Sequence, residues 1–140
     1  MTRVNLIPVK ELSDQHLIRE YQELPRCIKK DMNLINAPTT YTLGTGHKKW
    51  GRRNWYFLLK RYKLLCEEMD FRGFTRNYDY ISLKRWFKSA YPKLYLKRIK
   101  YTPTKRDIKI SRDRIKEKLS QKPEWYKWTK RKVPRYVKML

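Results

Sequence analysis

Residues 1–28 read MTRVNLIPVKELSDQHLIREYQELPRCI, and the rest of the chain is organised around this stretch. Thr2 is small enough to permit removal of Met1, which leaves a free α-amine on Thr2. An α-amine has an unperturbed pKa of about 7.7–8.0, far below that of lysine, so a useful fraction is uncharged and nucleophilic at neutral pH. Cationic neighbours such as Arg3 raise that fraction. The alternative is an ordinary N-terminus that frays in solvent.

A helix is predicted to follow the N-terminal arm, residues 2–12, and to begin at Ser13 or Asp14, either of which can cap its first turn. Its apolar residues recur at spacings of four, three and four and form one core-facing stripe: Leu17, Tyr21, Leu24 and Ile28. The remaining face is polar and contains His16, Arg19, Gln22, Glu23 and Arg26. Pro25 has no N–H to donate, so a kink or an early end of the helix is expected there.

The polar face carries one carboxylate, Glu23, with an arginine about one helical turn away on either side, Arg19 and Arg26. These two cations favour the ionised form of Glu23. Periodicity alone favours an ordinary surface ion pair, worth roughly a few tenths of a kcal/mol. The alternative is a carboxylate that acts together with the Thr2 amine.

Several blocks of the sequence occur in the order seen in one known family: residues 2–6 (TRVNL), 14–17 (DQHL), 20–26 (EYQELPR), 43–47 (LGTGH) and 111–127 (SRDRIKEKLSQKPEWYK). In these blocks the chain resembles the phage-type pyrimidine-dimer DNA glycosylases and abasic-site lyases, the endonuclease V family. With the helix after residue 47, the resemblance extends over more than half of the chain. It is weakest over residues 29–40 and 76–101.

The resemblance implies an all-α fold in which the N-terminal arm packs between helices. It implies that the Thr2 amine attacks C1′ of a damaged nucleotide, displaces the base and forms an imine, after which β-elimination nicks the strand. Glu23 is then the carboxylate that stabilises the cationic transition state and assists proton transfer. The implied substrate is a cyclobutane pyrimidine dimer in duplex DNA, reached by bending the duplex and extruding a nucleotide. No cofactor is required.

The resemblance also implies DNA contacts by four cations at matching positions: Arg3, Arg26, Arg114 and Lys118. It indicates that His47, or the backbone beside it, faces the DNA. Gln22 departs from the family pattern, which has an arginine at this position. The lost positive charge is expected to weaken a phosphate contact.

The composition independently indicates a nucleic-acid partner. The chain has 36 Lys and Arg against 13 Asp and Glu, a formal charge of +23, and such an excess needs a polyanion or destabilises the compact state through self-repulsion. A membrane surface is the competing polyanion, but no apolar run approaches the length of a spanning helix and no leader opens the chain. We therefore expect a soluble, intracellular, DNA-associated protein of a bacterial or virus-infected cell, acting as a monomer without an obligate protein partner.

The two cysteines and two histidines give no metal-site pattern. Neither Cys27 nor Cys66 has a partner at the close spacing of zinc sites, so we expect no metal. Cys66 falls on an apolar helix face and is predicted to be buried, whereas Cys27 lies nearer the polar face and is predicted to be exposed.

A second helix is predicted from Trp55 to a stop at Gly73. Its core-facing residues are Trp55, Leu58, Leu59, Tyr62, Leu65, Cys66 and Met69, and the reverse side carries Lys60, Lys63, Glu67 and Asp70. Before it, residues 44–47 (GTGH) predict a tight turn and are only a weak signal for phosphate binding. After it, aromatic and basic residues interleave over residues 78–101, which predicts either a short amphipathic helix, the favoured interpretation, or a base-stacking surface.

Thr102 and Pro103 predict the start of a third helix, which ends near Lys122. On it Arg114, Lys118 and Lys122 follow one another at intervals of four residues and form a basic ridge. Such a ridge suits phosphates, because cations in line repel one another without an anion between them. The alternative is a solvated face.

Beyond this helix, Trp125 belongs to a cluster of aromatic and basic residues. Its side chain is expected either to pack in the core or to contact a DNA base. Residues 129–140 are predicted to form a basic tail.

We therefore predict a single domain, residues 1–140, with three main helices and the arm packed between them. The predicted function is a DNA repair glycosylase with abasic-site lyase activity, with Thr2 and Glu23 as catalytic residues. The alternatives are a non-catalytic basic nucleic-acid-binding protein and an abasic-site lyase without dimer specificity, which would share every catalytic residue.

Overall fold

The structure is a computed structural model that describes residues 4–29 and 33–140. These form seven α-helices and no strand: α1 Asp14–Ile28, α2 His47–Arg53, α3 Trp55–Arg72, α4 Tyr80–Ala90, α5 Pro92–Leu96, α6 Lys105–Gln121 and α7 Arg135–Lys138. The predicted all-α class is confirmed, and the three longest helices, α1, α3 and α6, correspond to the three predicted ones. Within the described ranges, no helix combines the length and apolarity needed to cross a bilayer.

Helix α1 begins as predicted, because the Ser13 side chain accepts a hydrogen bond from the His16 N–H. It does not end at Pro25, so of the two predicted outcomes, a kink or an early end, the early end is wrong. The helix continues to Ile28, and the Lys29 N–H donates to the Pro25 carbonyl at 3.0 Å. Leu24 and Ile28 are fully buried, so core packing of the last turn outweighs the single hydrogen bond that proline removes.

Helix α2 was not foreseen, and it explains why Cys27 is buried rather than exposed. The helix packs closely on α1 through Gly51, where an added Cβ would lie 3.3 Å from the Cys27 Cβ and 3.2 Å from Leu58 Cδ2. Glycine therefore permits a close helix approach that covers the Cys27 side of α1. The predicted turn before α2 is a 3-10 turn, Gly44–Gly46, in which Gly44 has φ of 74°.

Helix α3 presents the predicted core face, and Gly73 ends it in a left-handed conformation with φ of 81°. Periodicity did not foresee that two of its arginines are buried. Arg61 pairs with Glu20 of α1, and Arg72 pairs with both Asp14 and Glu68. Each guanidinium is buried together with a carboxylate and has further hydrogen-bond acceptors, which offsets the desolvation of the charges.

The segment 78–101 forms α4 and α5 and contributes to the core, as the favoured interpretation predicted. Leu83, Phe87 and Tyr95 are buried, and Phe87 stacks on Trp55 with ring centroids 4.5 Å apart. Trp86 and Tyr91 are half-buried beside them.

Helix α6 starts two residues later than predicted, because Thr104 rather than Thr102 is its cap. The Thr104 hydroxyl accepts from the Asp107 N–H, and the Asp107 carboxylate accepts from the Thr104 N–H, which completes a capping box. The helix ends at Gln121, immediately before Lys122, as predicted.

The last twelve residues, predicted to form a basic tail, pack against α1 and α3 through residues near their start. Thr129 donates two hydrogen bonds to Asp14, and Arg131 pairs with Glu68 at 2.8 Å. Arg131 also lies over the Phe71 ring, 4.0 Å from its centroid. The segment packs because buried carboxylates of α1 and α3 supply acceptors that the local sequence does not reveal.

Candidate functional site

The N-terminal arm lies between helices, and side chains from other elements hold its backbone. The Val4 N–H donates to His47 Nε2 at 3.0 Å, and the Val4 carbonyl accepts from the Tyr41 hydroxyl at 2.6 Å. The Leu6 N–H donates to Ser111 Oγ on α6 at 2.9 Å. Val4, Leu6 and Ile7 are buried and Val9 is half-buried, so the predicted insertion of the arm is confirmed for the described residues.

His47 therefore has a different position from the predicted one. His47, or the backbone beside it, was expected to face DNA, but the His47 residue is only 1% exposed and its side chain holds the arm. Because Nε2 accepts from Val4, the imidazole is neutral with its proton on Nδ1, which donates to the Thr42 carbonyl at 2.9 Å. The sequence signal that could have found this role is a histidine directly after a glycine turn, close to an apolar stretch.

Beneath the arm, Glu20 forms a second anchor that the sequence did not identify. Its carboxylate accepts from the Asn5 side chain at 2.8 Å and from Arg61 Nε at 2.6 Å. Arg61 also donates to the Ile7 carbonyl at 2.6 Å. The arm is thus bonded to α1 and α3 through one buried ion pair.

Glu23 follows Glu20 by about one turn of α1 and is buried, with 5% exposure. The prediction of an exposed carboxylate between two arginines is wrong. Arg19 Nη1 lies 3.7 Å from Glu23 Oε1, whereas Arg26 is exposed and forms no ion pair with Glu23 among the described residues. Glu23 Oε2 has no hydrogen-bond partner in the described part of the chain. A buried carboxylate oxygen without a partner is costly, which is typical of a group reserved for a ligand.

A cleft of about 300 Å³ opens between α1, α6 and the segment after α6. Its lining includes four cations, Arg19, Arg114, Lys118 and Lys122, so the predicted basic ridge of α6 faces the cleft rather than open solvent. Glu20 lies at the base of the cleft, and Glu23, about one turn further along α1, is not among its described lining residues. The cleft is therefore positively charged and suited to a polyanion.

Trp125 stands at this cleft and is 57% exposed, so it is not a core residue. Gln15 of α1 holds its segment from both sides: the Gln15 amide donates to the Trp125 carbonyl at 2.8 Å and accepts from the Lys127 N–H at 3.1 Å. The Trp125 indole is thus presented to the cleft on a fixed backbone.

The other predicted site residues are separated from this cleft or cannot be placed. Gln22 and Arg26 are exposed on α1 and do not belong to the described cleft lining. Thr2 and Arg3 lie outside the described residues. Across residues 4–29 and 33–140, no group of three or more His, Cys, Asp or Glu side chains is arranged to hold a metal ion.

His16 lines the cleft and remains uncharged at neutral pH. Burial lowers its pKa to about 4, and the charges of Arg114 and Lys118 add to the effect. Its ring stacks on Tyr126 with centroids 4.9 Å apart and its Nδ1 lies 2.9 Å from Ser13 Oγ. The imidazole therefore forms a neutral wall of the cleft.

Protonation of His16 is expected to destabilise the fold as the pH falls. Its folded pKa of about 4 lies below the ordinary value of 6.5, so the unfolded chain binds more protons between these values and stability falls with pH in that window. From pH 7.5 to pH 5 this group should remove about 2 kcal/mol from the free energy of unfolding.

Urea unfolding at both pH values measures this effect. The control variant His16→Gln lacks the titrating group, and its loss should be smaller than that of the unmodified protein by the same amount. Equal losses in the two proteins would remove His16 as the cause.

Comparison with known protein families matches residues 1–82 to the family described as pyrimidine dimer DNA glycosylase. The matched segment is more than half of the 140-residue chain and includes the arm, α1, α2 and α3. The cleft residues of α6 and Trp125 lie outside it, so the resemblance predicted for residues 111–127 stays a prediction.

Proposed function

The chain belongs to the pyrimidine dimer DNA glycosylase family, and from this premise we propose that it excises pyrimidine dimers from duplex DNA and then nicks the strand as an abasic-site lyase. The observation that carries the proposal is Glu23, a buried carboxylate with one unpartnered oxygen, about one helical turn from the residue that bonds the arm. A protein that only binds DNA has no use for such a group.

In the proposed reaction, the Thr2 amine attacks C1′ of the damaged nucleotide and the glycosidic bond breaks, so that the base leaves with the bonding electron pair. The positive charge that develops on the sugar is stabilised by the Glu23 carboxylate. The C1′–O4′ bond of the sugar ring then breaks: the ring oxygen takes a proton from the attached nitrogen and becomes the C4′ hydroxyl, and C1′ and the nitrogen form a protonated imine. Removal of a C2′ proton expels the 3′ phosphate by β-elimination and leaves a nicked strand.

The anchoring of the described part of the arm supports this scheme. Val4, the first described residue, is bonded through both its N–H and its carbonyl, so the described part of the arm begins at a fixed point. Effective catalysis depends on such positioning, since holding reacting groups in place removes much of the entropic part of the barrier.

The duplex is proposed to lie along the cleft. Arg114, Lys118 and Lys122 would contact phosphates of one strand, and Trp125 would stack on an exposed base near the lesion. This arrangement requires no metal or other cofactor. Gln22 and Arg26, on the exposed side of α1, are proposed to contact the flanking backbone.

Duplex binding is expected to weaken steeply with salt, because each neutralised phosphate contributes about −0.9 to the slope of log K against log salt. Arg114→Ala and Lys118→Ala should each reduce the magnitude of that slope by about one and weaken binding to damaged and undamaged duplex alike. Fluorescence anisotropy at several salt concentrations measures both effects. A loss confined to damaged DNA would assign these residues to lesion recognition instead.

The function is tested with a panel of duplexes that contain a cyclobutane dimer, an oxidised purine or an abasic site, in the presence of chelator and borohydride. With the dimer and abasic duplexes we expect strand cleavage in a parallel reaction without borohydride and a reduced covalent complex when borohydride is present. With the oxidised purine we expect neither. Reaction with the abasic duplex alone would show a lyase without dimer specificity. Binding without any reaction would identify a non-catalytic protein.

A further inference from the structure

A second basic face lies on the side of α3 that is turned away from the arm. At about 100° per residue, Lys63 projects roughly opposite to Arg61, which faces the arm, and Lys60 projects about 100° from it. Both lysines are exposed. Neighbouring parts of α4 and α5 extend this surface. The second basic face consists of Tyr56, Lys60 and Lys63 of α3, Tyr80, Lys84 and Lys88 of α4, Tyr95 of α5, and Arg98.

Cations from different helices share the tyrosine rings of this face. Arg98 lies over both Tyr56 and Tyr95, with its guanidinium carbon 5.2 Å from each ring centroid. Lys63 of α3 and Lys84 of α4 both approach Tyr80, at 5.8 and 5.9 Å. The rings therefore gather the cations of α3, α4 and the segment after α5 into two groups, one around Tyr80 and one around Tyr56 and Tyr95. The two groups lie about one helical turn apart along α3 and α4.

The remaining two lysines contact the same rings and lie within about one helical turn of Lys63 and Lys84. Lys60 lies 4.4 Å from the Tyr56 centroid, and Lys88 lies 5.7 Å from that of Tyr95. Both are exposed.

The positive charge of this face has no counterion within the described protein. None of its five cations forms an ion pair with a carboxylate among residues 4–29 and 33–140. Glu67, about one turn beyond Lys63 on α3, lies at the edge of the face and forms no ion pair with Lys63. Lys60 and Arg98 also lower the pKa of the Tyr56 hydroxyl, through hydrogen bonding and charge. The direction of this shift agrees with a positive potential around Tyr56.

We propose that the second basic face binds the phosphate backbone of a second duplex DNA segment while the cleft holds the first. The proposal rests on the proposed function, since the cleft must already engage a duplex. A row of cations that binds a DNA backbone releases the counterions condensed on the DNA, which favours binding. Other segments of the same long DNA are present at high local concentration around a protein that is already bound to it. The consequence is direct transfer between segments without complete release.

The experiment measures dissociation from a short labelled undamaged duplex as a function of unlabelled duplex concentration. Direct transfer makes the dissociation rate increase with competitor concentration. In Lys60→Gln/Lys84→Gln this increase should fall by about tenfold or more at 0.1 M salt, because two phosphate contacts are lost. Affinity for one short duplex and cleavage of a short dimer duplex should stay within about twofold, because neither lysine lines the cleft.

The matched control is Lys105→Gln/Lys109→Gln, which removes the same charge from two exposed residues on the side of α6 away from Arg114. The control should retain transfer. A dissociation rate independent of competitor in the unmodified protein, or an equal loss in both double variants, overturns the proposal. Co-sedimentation with phosphatidylserine vesicles that is lost in Lys60→Gln/Lys84→Gln, without any transfer, would assign the face to membranes instead.

Failure of this proposal is distinguishable from failure of the proposed function. A protein that cleaves the short dimer duplex but shows no transfer lacks only the second site. A protein that shows transfer but no cleavage retains the second site and refutes the catalytic assignment.

Discussion

Glu23→Gln is expected to lower the rate of base release from a dimer-containing duplex by about 10²–10⁴-fold, while affinity for undamaged duplex stays within about twofold. Glutamine keeps the size of the side chain but removes the charge that stabilises the developing cation on the sugar. Single-turnover kinetics with enzyme in excess separates this loss of chemistry from any change in binding.

The effect of Glu23→Gln on the free energy of unfolding distinguishes a catalytic role of Glu23 from a structural one. Glu23 is buried, its one ionic neighbour is 3.7 Å away, and Oε2 is unpartnered among the described residues. Removal of this charge should leave the free energy of unfolding unchanged or raise it, as is common for groups kept for activity rather than stability.

Glu20→Gln is the matched control, because Glu20 is also a buried carboxylate of α1. Glu20 is bonded to Arg61 and Asn5, so its neutralisation leaves a buried guanidinium without its counter-charge and should destabilise the fold by about 3–5 kcal/mol. A Glu23→Gln protein that retains full activity, or that unfolds as readily as Glu20→Gln, contradicts the catalytic assignment of Glu23.

A single glycine inserted between Met1 and Thr2 is expected to reduce glycosylase activity and borohydride trapping by at least about 10²-fold. The insertion displaces the terminal amine by about 3.8 Å, and a misplacement of about 1 Å already suffices for such a loss. The rate of trapping on abasic duplex, followed by mapping of the crosslinked peptide, measures it. In the unmodified protein the crosslink should map to Thr2.

The control for this insertion is a glycine added after Leu140, which should change neither activity nor trapping. His47→Leu, which removes the acceptor of the Val4 N–H, should act in the same direction as the insertion, whereas His47→Gln retains an acceptor and should preserve more activity. A crosslink that maps to an internal lysine would remove Thr2 from the mechanism.

Features that depend on neighbours within one or two helical turns could be predicted from the sequence. The spacing of apolar residues identified α1 and α3. The four-residue intervals placed Arg114 and Lys118 on one face of α6, with Lys122 directly after its end. Apolar periodicity worked because each helix buries a single stripe. Family resemblance, confirmed over residues 1–82, supplied the reaction class, which no periodicity reveals.

The surroundings of the site could not be predicted in this way. Glu23 has the spacing of an exposed residue, and Cys27 lies near the polar face, yet both are buried. For Cys27 the cause is α2, which packs on that part of α1. Trp125 has a large aromatic side chain of the kind that usually packs in a core. It is exposed here because Gln15 holds its backbone at the edge of the cleft.

The sequence by itself determined the helical class, the positions of the long helices, the excess of positive charge and the membership of a repair family. Only the tertiary structure decided that His47 holds the arm, that Ser111 bonds Leu6 across 105 residues of sequence, and that Glu23 is buried with an unpartnered oxygen. The physical reason is the range of the interactions. Helix formation and charge follow from residues close in sequence, whereas burial and hydrogen-bond partners of an active group depend on segments that meet only when the whole chain folds.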